Sequence, residues 1–220
     1  MLLVKKSSKF LLVVVLAAYC LPNNIVAKPL EGQELKNFFA YKQGDLYLGV
    51  HPSKANVVMV EYGSLSCYYC KQFFLKVIPD IKRKFIDDKG LSLSIICREF
   101  VSDGPSLVVA TLLQCLNVDK GKRYKILANL YKTQSDWAFS GDSYNKIQEV
   151  FMAHGYNRYE VSKCAQNNAI SQSIVEEQKN IIEKGGLTGT PMIIINGKPV
   201  EDVRPTSVVS QIELAFGNKN

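Results

Sequence analysis

The sequence predicts an α/β fold in which a small sheet is interrupted by a block of helices, and three observations carry that reading. The apolar run Val57-Val58-Met59-Val60-Glu61-Tyr62 passes through Gly63-Ser64-Leu65-Ser66 into Cys67-Tyr68-Tyr69-Cys70 and a helical pattern, which places a cysteine pair between a buried strand and a helix. From Pro105 to Lys184 the periodicity is helical throughout. Strand character then returns in Met192-Ile193-Ile194-Ile195, followed by the hairpin signal Asn196-Gly197.

Taken in order, the first residues read as an export signal over 1–27. Lys5, Lys6 and Lys9 precede an apolar core from Phe10 to Leu21, and Ile25-Val26-Ala27 offers a small-residue cleavage site before Lys28. The apolar core is shorter than the ~20 residues that span a bilayer, so an uncleaved anchor is the lesser alternative. Cys20 invites lipidation, but bulky Tyr19 stands where a lipoprotein signal needs a small residue. A short polar extension, 28–44, leads to a first strand at 45–49 and a second at 57–62.

Phe73, Phe74, Val77, Ile78, Ile81 and Phe85 recur at helical spacing between charged residues, predicting a helix from Cys70 to Asp88 with a kink at Pro79. Leu91, Leu93, Ile95 and Cys97 alternate onto one face of a third strand, closed by Arg98-Glu99-Phe100, with Cys97 facing the core. Helices follow near 105–117, 122–132, 143–153, 157–167 and 169–184, broken at Lys120-Gly121, Ser140-Gly141, Gly155 and Gly185-Gly186. A last helix runs over 206–216. The sheet domain therefore comes in two parts, 45–104 and 185–220, with an inserted helical domain over 105–184.

Loss of residues 1–27 from the 220 leaves 193, ample for one such domain. Three lysines leave with the signal and the formal charge drops from +7 to +4, which weakens any case for a nucleic-acid partner, and none is expected. Export also admits disulfides. Five cysteines survive cleavage, an odd number that requires a free thiol or an intermolecular partner. No second CxxC or histidine pair exists, so neither a metal nor a cofactor is expected; His51 and His154 read as surface or packing residues, and Trp137 as a packing anchor.

Six cysteines in 220 residues give roughly 0.16 CxxC pairs by chance, so the flanking pattern must carry the assignment. At a helix start the two cysteines are unequal. Cys67 lies at the helix mouth, where free amide hydrogens and the dipole favour the thiolate that attacks disulfides, while Cys70 is turned inward and would resolve the mixed disulfide. Glu61, a carboxylate inside an apolar strand, is a candidate proton carrier for Cys70; the plainer alternative is a strand-end residue with its head in water or in an ion pair. Tyr68 and Tyr69 bring aromatic area for substrate, or mere surface packing. They lack the positive charge of a histidine, which predicts a weaker thiolate than a histidine-bearing motif would have.

With Glu61-Tyr62 before Ser66-Cys67-Tyr68-Tyr69-Cys70, then Arg98-Glu99-Phe100, the Trp137 segment and Gly189-Thr190-Pro191 before a strand, the chain resembles the DsbA family of exported thiol:disulfide oxidoreductases over about Asp45 to Phe216. The resemblance implies a thioredoxin-like fold with an inserted helical domain, periplasmic location, reduced exported proteins as substrates and a membrane redox partner of the DsbB type. It also implies that Pro191 is cis, with Thr190 and Pro191 lying against the cysteine pair to receive an extended peptide. Thr190 and Tyr69 depart from the strongly oxidising members and leave an isomerase or reductase as the alternative. Isomerase-type relatives add an N-terminal dimerisation module for which 28–44 is too short, so a monomer is favoured over a helical oligomerisation segment.

Cys115 and Cys164 lie in two helices of the inserted block. A bridge between them would close a loop of about 50 residues and stabilise by about 4 kcal/mol before strain; the alternative is two buried free thiols. Some relatives of the alpha-proteobacterial branch carry such a second bridge. Cys97 reads as an inert core residue. From a different class, a non-catalytic envelope binding or surface protein would use Cys67 and Cys70 only as a structural disulfide.

Overall fold

Alternation along the central strands decides the layering. In the computed structural model, which describes residues 30–217, strand β2 (Val57–Gly63) sends Val57 and Met59 into one core and Val60 and Tyr62 into another. Strand β3 (Leu93–Glu99) does the same with Leu93, Ile95 and Cys97 against Ile96. This is the period-2 outcome of a pleated strand covered on both faces. The expected export signal over 1–27 and Cys20 fall outside the described residues.

Strands β1 (Leu46–Gly49), β4 (Met192–Ile195) and β5 (Lys198–Pro199) complete a mixed five-stranded sheet of order β1-β3-β2-β4-β5. β2 and β3 run parallel and the other pairings are antiparallel. Register sets Glu61 beside Cys97 on one side and Ile193 on the other. At the β4–β5 turn Asn196 and Gly197 both have positive φ, +50° and +81°, the demand of a tight hairpin. A Cβ on Gly197 would stand 2.6 Å from the Cα of Lys36, so glycine also admits the helix that crosses this turn.

That helix is α1 (Gly32–Phe38), inside the stretch read from sequence only as a polar extension. It buries no residue fully; Leu35 and Phe38 lean on a core built by Phe39, Tyr62, Ile181 and Leu187, too sparse a stripe to register as periodicity. The helix expected from Cys70 starts earlier. One helical run joins α2 (Tyr68–Gln72) to α3 (Ile78–Ile81) through a π turn at Phe73–Val77 and continues into a second at Lys82–Asp87. At Pro79 the run changes register rather than breaking: Ile78 N–H bonds Phe73 O five residues back, a widened turn that accommodates the proline's missing donor.

The inserted helices are α4 (Gly104–Cys115), α5 (Lys120–Lys132), α6 (Gln134–Trp137), α7 (Ser143–Ala153), α8 (Arg158–Ala165) and α9 (Asn168–Gly185). Side-chain caps start several of them: Asp103 with Ser106 on α4, and Asn157 with Glu160 on α8. α4 packs on α7, α8 and α9, and α5 packs on the first π turn and on β1. The single turn α6, unexpected from sequence, buries Trp137 completely and ties its Nε1–H to Leu130 O at 2.9 Å. α10 (Pro205–Gly217) closes the first core, that of Val57 and Met59, through Val208 and Ile212 against β2 and β4.

Candidate active site

The end of β2 and the start of α2 create the site between them. Gly63 ends the strand, Ser64 to Ser66 turn the chain, and Cys67 caps the helix with φ −84° and ψ 124°, its sulfur accepting the Cys70 N–H at 3.5 Å. Cys67 is partly exposed and Cys70 is fully buried; both carry free thiols, as does buried Cys97. Opposite them the Thr190–Pro191 peptide bond is cis, and Thr190 O accepts from the Cys67 thiol at 3.5 Å. Tyr68 and Tyr69 project outward, 61% and 72% exposed and edge-to-face on one another, so they do not pack against the core.

The environment separates the two sulfurs electrically. A hydrogen bond from the Cys70 thiol, the Cys70 N–H and the Thr190 hydroxyl pull the Cys67 pKa down to about 5, against the opposing effect of partial burial. Cys70 moves the other way, held protonated by that same bond to Cys67, by burial and by the charge of Glu61. Lowering Cys67 this far therefore takes no histidine between the cysteines.

Glu61 is 2% exposed on the face of β2 that looks at the cysteine helix, and among the described residues its Oε1 has no hydrogen-bond partner. Burial first, then the charges of Glu99 and Cys67, push its pKa up to about 8. It is neither an ion-paired group nor a strand-end residue with its head in water. Gly63 makes room for it: a Cβ there would fall 2.1 Å from Glu61 Oε1 and 3.1 Å from Tyr131 Oη. Glu99, which contributes to the shift, is bound to Arg123, and Arg98 is buried against Asp45 at 2.6 Å, Tyr62 Oη at 2.8 Å and Ala40 O at 2.7 Å.

Several residues that hold the site carry no sequence signal of that role. The loop Ser64–Cys67 is bound from the segment that leads into α4 and from α5: Ser102 Oγ meets Ser64 Oγ at 2.6 Å, Asp103 accepts from Ser66 at 2.9 Å, and Tyr131 Oη donates to Ser64 O at 3.4 Å. Gln134 Nε2 reaches the carbonyls of Leu65 and Cys67. Asp103 caps α4, and its second bond depends on a contact 37 residues away. Remote from this cluster, Cys115 at the end of α4 and Cys164 in α8 form a disulfide with Cα atoms 5.5 Å apart. No group of three or more His, Cys, Asp or Glu among the described residues is arranged to hold a metal ion.

A strand, a CxxC-capped helix and a facing cis-proline on a mixed sheet define a thioredoxin-like redox fold. The family model for thioredoxin matches residues 43–213, and the chain belongs to that family. Among curated relatives, a "Putative protein-disulfide oxidoreductase" of Rickettsia bellii is 25% identical over 186 residues, 83% of this chain and 70% of the relative. Disulfide bond formation protein D of Bacillus subtilis is 23% identical over 67% of each. A second Rickettsia relative, from Rickettsia conorii, is covered over 57% of its length, so the chain spans roughly three fifths to two thirds of several of these proteins. Among solved structures, alpha-DsbA1 of Wolbachia pipientis aligns with TM-score 0.70 at 24% identity, over 84% of this chain and 99% of that one. BdbD of Bacillus subtilis aligns with TM-score 0.64 at 22% identity, over 80% and 94%. By sequence the similarity thus lies with protein-disulfide oxidoreductases, and by fold with DsbA structures.

Proposed function

We propose that this protein is a thiol:disulfide oxidoreductase that introduces disulfides into exported proteins through Cys67 and Cys70. The observation that carries the reading is the opposed setting of the two sulfurs: a reachable Cys67 whose thiolate is favoured, beside a sealed Cys70 whose thiol is favoured. The relatives' names agree with it.

In the oxidised protein a substrate thiolate attacks Cys67 Sγ, the Cys67–Cys70 bond breaks, and Cys70 leaves as a thiolate. Glu61, which keeps its proton to about pH 8, supplies that proton. A second substrate thiolate then attacks the substrate sulfur of the mixed disulfide, a substrate disulfide forms, and Cys67 departs as the stable thiolate. Two electrons pass to the protein and a membrane partner of the DsbB type takes them up. Thr190 and Pro191 line the place where an extended substrate peptide pairs, with Tyr68 and Tyr69 as contact surface. The Cys115–Cys164 bond is structural in this account, and 105–184 serves as the inserted domain of one catalytic unit acting as a monomer.

The periplasm is the proposed location, reached through the signal over 1–27. Among the described residues no helix is long and apolar enough to cross a membrane.

A glutathione redox titration with trapping of the mixed disulfide and a Cys67→Ala control tests the function. A potential near ~ −120 mV supports an oxidase; one near ~ −180 mV or below moves the assignment to an isomerase or reductase, the alternative that Thr190 and Tyr69 favour. If Cys67 neither titrates nor forms a mixed disulfide, the protein is a binding module with a structural CxxC.

A further inference from the structure

We infer that Gln134 is a positioning residue for the redox pair: from the inserted block it fixes the backbone that carries Cys67 and so sets how that sulfur faces the helix mouth. The inference rests on the reading of Cys67 as the exchanging sulfur.

Gln134 opens α6 and is 4% exposed. Its Nε2 donates to Leu65 O at 2.7 Å and to Cys67 O at 3.0 Å, one hydrogen for each carbonyl. Cys67 O also accepts the Lys71 N–H at 3.1 Å, so that carbonyl is held from the helix side and from the block side at once. The orientation of the carbonyl is the ψ torsion of Cys67, the residue at which the chain turns from extended to helical. The contact of the sulfur to Cys70 N–H, at 3.5 Å, spans that torsion, and its contact to Thr190 O is also 3.5 Å. The ties from Ser102, Asp103 and Tyr131 reach Ser64 and Ser66 and leave the Cys67 carbonyl to Gln134. Gln134 touches the reacting group only through backbone, which makes it a positioning residue rather than a catalytic one.

The test compares wild type with Gln134→Met, similar in length but without a donor, with Gln134→Asn, which keeps the amide one methylene short, and with Thr133→Ala. Thr133 Oγ1 bonds Asn129 O within its own helix end, so its loss perturbs the same segment without touching the redox loop. The readouts are the pH profile of Cys67 alkylation and the glutathione exchange equilibrium of the protein exported from the full-length chain, with a thermal melt beside them. Gln134→Met is expected to move the alkylation profile up by about one pH unit, a tenfold loss of thiolate on its low-pH limb, and to change the exchange equilibrium. Gln134→Asn falls between, and Thr133→Ala keeps the wild-type profile. A lower melting temperature with unchanged profile and equilibrium in Gln134→Met overturns the inference; if that variant does not fold, the same result in Gln134→Asn does so. A wild-type Cys67 without a low-pH profile fails the thiol-exchange reading itself and takes the inference with it.

Discussion

Two cysteine pairs in one chain receive opposite treatment from the fold. Cys67 and Cys70 are three residues apart across a helix mouth, one sulfur partly exposed and one buried, and both stay free thiols. Cys115 and Cys164 are 49 residues apart, and they are joined. In the first pair the helix start, the cis-Thr190–Pro191 loop and Glu61 stabilise different charge states on the two sulfurs, so electrons can move through it. In the second, α4 and α8 simply bring two side chains together, and the bond acts on the unfolded chain by closing a long loop. What decides whether a sulfur pair exchanges or staples is the asymmetry of its surroundings, not its proximity.

The largest way to break the contrast is Cys67→Ala, which should reduce mixed-disulfide formation to background in the glutathione assay. The Cys115→Ala/Cys164→Ala double variant should keep exchange within about threefold of wild type while losing about 2–4 kcal/mol of stability in urea melts. If the double variant loses exchange as completely as Cys67→Ala, the two pairs are not separate in function.

Glu61→Gln comes next. It should slow the step that releases Cys70 by about a hundredfold and remove the inflection near pH 8 from that step's rate profile, read by stopped-flow with a thiol substrate. Gly63→Ala should reproduce part of this loss, since its added carbon displaces the Glu61 carboxyl.

The smallest effect is a pair of opposed pH slopes in the stability of the reduced protein. Cys67 is depressed from 9.0 to about 5, so the unfolded chain binds more protons in that window; its contribution is full above pH 9 and lost as pH falls through about 5. Glu61 is raised from 4.5 to about 8, so its contribution is full below pH 4.5 and lost as pH rises through about 8. Urea melts should therefore show stability rising with pH from 5 to 9 in Glu61→Gln and falling from 4.5 to 8 in Cys67→Ser. Parallel slopes would contradict the assignment of the two shifts.

Local signals made much of this legible. The β2 run, the alternation through Cys97, the Asn196-Gly197 turn and the long helices all follow from periodicity and turn chemistry, and each stands within a few residues of its expected place. Glu61 stood out because a carboxylate in an apolar strand demands an explanation. The hidden parts are those that depend on distant contacts. α1 has too few apolar positions to show a stripe, and α6 is a single turn whose existence rests on burying Trp137. Nothing near Gln134 in the sequence points to a loop 67 residues away. The Cys115–Cys164 pairing was likewise an open choice, because spacing along the chain does not say which helices meet.

The most direct measurement is differential alkylation of the reduced protein at pH 6, mapped by mass spectrometry. Cys67 is expected to label first and fast, Cys70 and Cys97 to stay protected until the protein is unfolded, and Cys115 and Cys164 to be recovered linked to each other. Equal slow labelling of Cys67 and Cys70, or faster labelling of Cys70, would contradict this.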